Sequence, residues 1–258
     1  MIVRNPWPTR AECLAGLREG SGGGVKVAVL DTGVDVTHPA FVDCRFGKVY
    51  ETHWTERGPV TVEGLSADTA GHGTAIAGIV HRLAPAAELL CIRVLDGGSR
   101  QYRHELIREG ARFARERGAT IFNCSFGVPG TGYTLPIYKE WTDAIFHRGA
   151  TVVAAASNES QDLPEWPAHL AQVIGVVAAD CCVENLRKRP GGPIPFAAAG
   201  VGVTVPVPGG SYAKVTGSSF ATACVSGLLA RLVSAFPGIS PGMTREALDH
   251  FAMEEPSQ

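Results

Sequence analysis

Val25-Lys26-Val27-Ala28-Val29-Leu30-Asp31-Thr32-Gly33 is the stretch that decides the fold. An apolar run broken only by Lys26 leads straight into a carboxylate and a glycine turn. Such a run, without clean alternation, suits a parallel strand buried on both faces. Ser21-Gly22-Gly23-Gly24 enters it as a flexible link, and residues 1–24 read as a short extension. Residues 25–258 read as one domain, with no internal repeat and no second boundary.

Outward from that strand, runs of the same kind recur at Glu88–Val94, Ala119–Asn123, Thr151–Ala156 and Gln172–Ala178. Helical patterns lie between them. Leu106, Ile107, Gly110, Ala111 and Ala114 fall on one face of a helix from Arg103 to Arg117, and its charged residues make a solvated face. Ile137, Trp141, Ala144 and Ile145 mark a second helix that Gly149 can end. A third, from Ser219 to about Phe236, is apolar over most of its circumference and reads as a central buried helix. The alternation predicts an α/β domain with a mostly parallel sheet. Ligands in such sheets gather outside the carboxyl ends of the strands, which singles out Asp31, Ser125 and Asn158.

Composition narrows the function. The 258 residues are 45% hydrophobic, with 23 Lys and Arg against 25 Asp and Glu, for a net charge of −2. No block of five like charges occurs, which argues against a nucleic-acid or membrane-surface partner. No apolar run reaches the length of a membrane span, and Met1 to Arg10 lacks the apolar core of a secretory signal. The seven cysteines include the adjacent pair Cys181 and Cys182, while Cys44, Cys91, Cys124 and Cys224 lie in apolar or glycine-rich settings. This pattern predicts buried free thiols and a cytoplasmic location rather than a disulfide framework. No CxxC and no HExxH occurs, so no zinc site is indicated.

Three segments carry groups with chemical potential. Asp31-Thr32-Gly33 fits a strand-end turn; it also fits an aspartic protease, which needs a second such loop: none occurs in this chain, and a homodimer could supply it but would leave the other two segments unexplained. Gly71-His72-Gly73-Thr74 puts a histidine between glycines at the start of a small-residue helix, where capping and packing are the ordinary roles. Gly217-Ser218-Ser219-Phe220-Ala221-Thr222 puts a serine pair at a helix start. A serine there is ordinarily an N-cap, yet the same place lets backbone N–H groups and the helix dipole hold a developing oxyanion.

Asp, His and Ser in that order, each in its context, resemble the subtilisin-like serine proteases, the subtilases. The matching blocks are Val27–Asp35, Gly71–Thr74 with Ala77-Gly78, Asn123–Gly127, Val152–Glu159 and Gly217–Thr222 with Val225-Ser226-Gly227. The resemblance implies a three-layer α/β sandwich with a mostly parallel central sheet. It further implies that Ser219 is the nucleophile, His72 the general base and acid, and Asp31 the group that orients the imidazole. Asn158 and the Ser219 backbone N–H would hold the oxyanion. Ser125, Phe126 and Gly127 would pair with an extended substrate and line its first specificity pocket, with Ala155, Ala156 and Ser157 opposite. Gly97, Gly98 and Ser99 would supply a second pairing edge. The polypeptide substrate would bind as an added β-strand.

The departures are specific. Ala75-Ile76 follows His-Gly-Thr where many members have His-Val; Ala223-Cys224 stand in place of Pro-His, and Ser157 in place of a common glycine. The connection Val80–Ala84 is short where secreted relatives often carry a calcium loop, so no metal or other cofactor is expected. The resemblance also implies a cis peptide at Trp166-Pro167. The leading expectation is an intracellular serine endopeptidase, with removal of a leader from a ribosomally made peptide as a candidate task. The alternatives are a peptide transferase of the macrocyclising kind and a catalytically silent peptide-binding module.

Overall fold

The computed structural model describes residues 8–64, 67–95, 103–160 and 163–254. In chain order the elements are α1 (Arg10–Glu19), β1 (Lys26–Asp31), β2 (Arg45–Phe46), β3 (Tyr50–Thr55), β4 (Gly58–Glu63), α2 (His72–Leu83), β5 (Glu88–Arg93) and α3 (Arg103–Glu116). There follow β6 (Ile121–Cys124), β7 (Val128–Pro129), α4 (Thr134–Phe146), β8 (Thr151–Ala155), β9 (Glu165–Trp166), β10 (Val173–Ala179), β11 (Leu186–Lys188) and β12 (Phe196–Ala199). The chain ends in β13 (Val203–Val207), β14 (Ser211–Val215), α5 (Ser218–Ala235), α6 (Pro241–Phe251) and β15 (Met253–Glu254).

Among the described residues the main sheet runs β15-β11-β12-β10-β8-β6-β1-β5-β3-β4, with β2 also on β5. The six central strands pair in parallel, and within this sheet antiparallel pairing is confined to β11–β12 and β3–β4. Alternate residues of β1 point to opposite faces, as the strand period demands. Val27 and Val29 pack with Leu17, Ile76, Leu228 and Leu248 of α1, α2, α5 and α6, while Ala28 and Leu30 pack with Ile107, Ala111, Tyr138 and Trp141 of α3 and α4. This makes a three-layer α/β sandwich.

The topology places the site. From β1 the chain passes through α2 to β5 on one side, then through α3 to β6 on the other side of β1. The order reverses at the carboxyl end of β1, the switch point at which doubly wound sheets leave a crevice. Asp31 is the last residue of β1.

Two features differ from the sequence reading. The extension expected over residues 1–24 contains α1, started by a Thr9–Glu12 capping box. Its Leu17 is fully buried and Cys13 nearly so, so this segment is packed into the core rather than loose. Cys44, expected to be buried, is only half-buried. All seven cysteines are free. By length and composition α5 is apolar enough to span a bilayer, and 72% of it is buried inside the protein, as in a core helix. The Trp166-Pro167 bond is cis.

Candidate active site

Asp31 is almost wholly buried. Its Oδ1 accepts the Thr32 amide at 2.8 Å and stands 2.7 Å from His72 Nδ1. Its Oδ2 is buried with no hydrogen-bond partner among the described residues. His72 is the first residue of α2. Gly71 before it holds φ at +78°, a conformation glycine takes without cost, and Gly73 after it sits so close to β1 that a Cβ would collide with the Gly33 carbonyl oxygen. The two glycines thus let the imidazole project while the backbone packs against the Asp31 loop.

A second carboxylate holds this arrangement. Asp68 is buried and accepts four hydrogen bonds: Thr32 Oγ1 at 2.8 Å and the Gly71 amide at 2.9 Å on Oδ1, the Thr74 amide at 2.8 Å and Thr74 Oγ1 at 2.7 Å on Oδ2. It satisfies N–H groups at the start of α2 that Gly71, lacking a side chain, leaves open. Thr32 Oγ1 in turn accepts the Gly73 amide at 2.9 Å. For His72 itself, burial acts against the charged form. The Asp31 charge, the hydrogen bond to it and the Asp68 charge outweigh burial, so the imidazole pKa is raised above its ordinary value.

Ser219 lies in the first turn of α5. Its hydroxyl donates to the Ser125 carbonyl at 3.2 Å rather than to His72, whose ring packs on Phe220 with centroids 5.7 Å apart. A buried chain of hydrogen bonds fixes the helix start. Ser226 donates to Asn123 Oδ1 at 2.9 Å, Asn123 Nδ2 to Ser125 Oγ at 2.9 Å, and Ser125 Oγ to the Ser219 carbonyl at 3.0 Å. Asn158 Oδ1 accepts the Ser218 amide at 2.8 Å. With its oxygen so engaged, the Asn158 side chain has its two N–H donors left for other acceptors.

A cleft of about 410 Å³ opens beside Ser219. Ser125, Phe126 and Gly127 line it together with Ala155, Ala156, Ser157 and Asn158, and Glu159 and Glu165 line it as well. The backbone of Phe126 and Gly127 makes no hydrogen bond to the backbone of other described residues. Gly97, Gly98 and Ser99 lie outside the described residues. Among the described residues no three His, Cys, Asp or Glu side chains gather as a metal site. The residues the sequence reading missed are Asp68, Asn123, Ser226 and Glu165. Only Asp68 had a local signal, an acid shortly before a helix start.

Residues 22–257 match the Subtilase family, Peptidase S8. M-protease of Shouchella clausii (strain KSM-K16) is 33% identical over 261 residues, covering 96% of this chain and 64% of that protein. Subtilisin Savinase of Lederbergia lenta is likewise 33% identical, covering 96% of this chain and 91% of its own length. The chain therefore spans less than two thirds of M-protease. Among solved structures, fervidolysin from Fervidobacterium pennivorans, a keratinolytic enzyme related to subtilisin, superposes with a TM-score of 0.70 at 26% identity, over 88% of this chain and 38% of its own. A family match across nearly the whole chain, with relatives at 33% identity, establishes that the chain belongs to the subtilase family.

Proposed function

We propose that the protein is a serine endopeptidase that hydrolyses polypeptides through Ser219, His72 and Asp31. The observation that carries the reading is the 2.7 Å contact between His72 Nδ1 and buried Asp31, set beside a serine at the start of a buried helix. Asp31 holds the imidazole with Nδ1 protonated, which leaves Nε2 to take the Ser219 proton. The hydroxyl then attacks the substrate carbonyl carbon. The proton returns from His72 to the departing amine, and water resolves the acyl-enzyme by the same route. A Ser219–His72 hydrogen bond is of the kind that tightens when substrate arrives.

Charge on the carbonyl oxygen is met by the Ser219 N–H and the Asn158 side-chain amide, whose orientation the Ser218 amide supports. The open backbone of Phe126 and Gly127 supports a substrate added as a β-strand. The narrower form of the proposal is processing of a precursor, with removal of its leader. The two carboxylates on the cleft wall support it, because they restrict what can enter.

Labelling with a fluorophosphonate tests the reaction. The expected result is covalent modification of Ser219, with loss of labelling in Ser219→Ala and hydrolysed peptide as the product. A protein that leaves the probe untouched and binds peptides without cutting them is a binding module, and a joined peptide product identifies a transferase.

A further inference from the structure

Glu165 and Glu159 put two carboxylates on the cleft beside Ser219, and among the described residues no Lys, Arg or His lines it. Antiparallel pairing of β7 with β9 sets Glu165 opposite Pro129, and from there its side chain reaches back over Gly127. A Cβ on Gly127 would stand 2.9 Å from Glu165 Oε2 and 3.3 Å from its carboxyl carbon. The absence of a side chain at Gly127 is what gives the carboxylate its place on the wall. Glu159 follows Asn158 and is exposed at the mouth.

The Glu165 carboxylate is half-buried, yet it accepts no hydrogen bond and joins no salt bridge among the described residues. Its pKa is raised, first by burial, against the opposing pull of His169, and further by the charge of Glu159. The His169 ring does not line the cleft; its Nδ1 lies 3.1 Å from both the main-chain nitrogen and oxygen of Glu165. A partly desolvated carboxylate without a partner is costly, and a cation brought to it recovers that cost. Among the described residues the rest of the wall contributes small side chains, with Phe126 the one large apolar surface. An acidic substrate side chain would be repelled, and a neutral apolar one would strand the carboxylate.

We infer that this cleft receives a lysine or arginine side chain from the residue on the amino side of the scissile bond, with Glu165 as the main specificity determinant and Glu159 as a weaker partner at the mouth. The inference rests on the protease reading above. The long methylene stem of either residue would run along Ala155 and Ala156 while its charged head meets the carboxylate.

The test uses the full chain and fluorogenic peptides that differ only at that residue: arginine, lysine, citrulline, leucine and glutamate. Citrulline keeps the shape of arginine without its charge. The expected kcat/KM for arginine exceeds that for citrulline by at least about tenfold, since one partner of a shielded charge pair is then missing. Glu165→Gln should collapse the arginine-to-citrulline ratio toward one, and Glu159→Gln should lower it less. Fluorophosphonate labelling of Ser219, run on each preparation, reports the reacting serine and the integrity of the fold without using the pocket. A labelled enzyme that cuts after leucine or citrulline as well as after arginine, or a labelled Glu165→Gln that keeps the full ratio, overturns the inference and leaves the protease reading standing. A well-folded protein that neither labels nor cuts any of the peptides removes the protease reading and the inference with it.

Discussion

Asp68 Oδ2 accepts both the backbone amide and the hydroxyl of Thr74, at 2.8 and 2.7 Å. Its other oxygen takes Thr32 and Gly71, so a single buried carboxylate ties the loop after β1 to the start of α2. Those are the two pieces of chain that carry Asp31 and His72. Asp68 touches neither directly, so in the proposed reaction it would act by positioning and by field.

Asp68→Asn retains the size and exchanges one acceptor oxygen for a donor amide. Two of the four donors then face the wrong group, at a cost of about 1–3 kcal/mol for each buried group left unmatched. The melting temperature should fall and kcat should drop. Because the Asp68 charge raises the His72 pKa, the acid limb of the pH–rate profile should also move to lower pH. A limb that stays in place while stability falls would leave Asp68 a purely structural residue.

For the wild type, the proposed base works only as neutral imidazole. Its pKa is raised, so the acid limb of kcat/KM should lie above the ordinary imidazole value of about 6.5. For stability the sign is opposite. A raised folded pKa contributes stability that is complete below the unfolded value and is lost as pH rises through the folded one. A rate profile that peaks near the carboxylate range would contradict His72 as the base.

Asn158→Ala should lower kcat far more than it changes KM, because the amide meets the oxygen only once charge has developed there. The loss should be about 10²–10³-fold, the size known for removal of one such donor in subtilisin itself. Initial-rate kinetics on a single peptide decides it. Equal loss in kcat/KM through KM alone would place Asn158 in substrate binding instead.

Leu17→Ala tests whether the N-terminal helix belongs to the folded unit. Leu17 is fully buried against α5 and α6, so the change should cost about 2–5 kcal/mol in urea unfolding. A change below the error of the measurement would mean that α1 docks only loosely.

Much of this was legible because it is local. The run into Asp31 declares a buried strand by its own composition, and the serine pair before an apolar stretch declares a helix start within one residue of where α5 begins. The helix α1 was missed although Thr9 and Glu12 form a capping box, because its apolar stripe is thin, resting on Cys13 and Leu17. The β13–β14 hairpin also went unnamed, with Gly209 and Gly210 at positive φ at its turn as the available sign. Glu165 was beyond reach for another reason. Nothing in the chain near residue 165 says that two short strands will set it against Gly127; that neighbourhood exists only after the sheet has formed.

A protease of the proposed kind would live among copies of itself, and α5 bears on how it would survive them. The helix is packed against α1, α2 and the central strands, with most of its length out of water. Such a segment exchanges its amide protons only through opening of the whole domain, not through local fraying. Ser219, the proposed nucleophile, therefore sits on the part of the molecule that is last to become food for a neighbour. Loss of activity on heating and self-digestion should begin together, at the temperature where the domain opens.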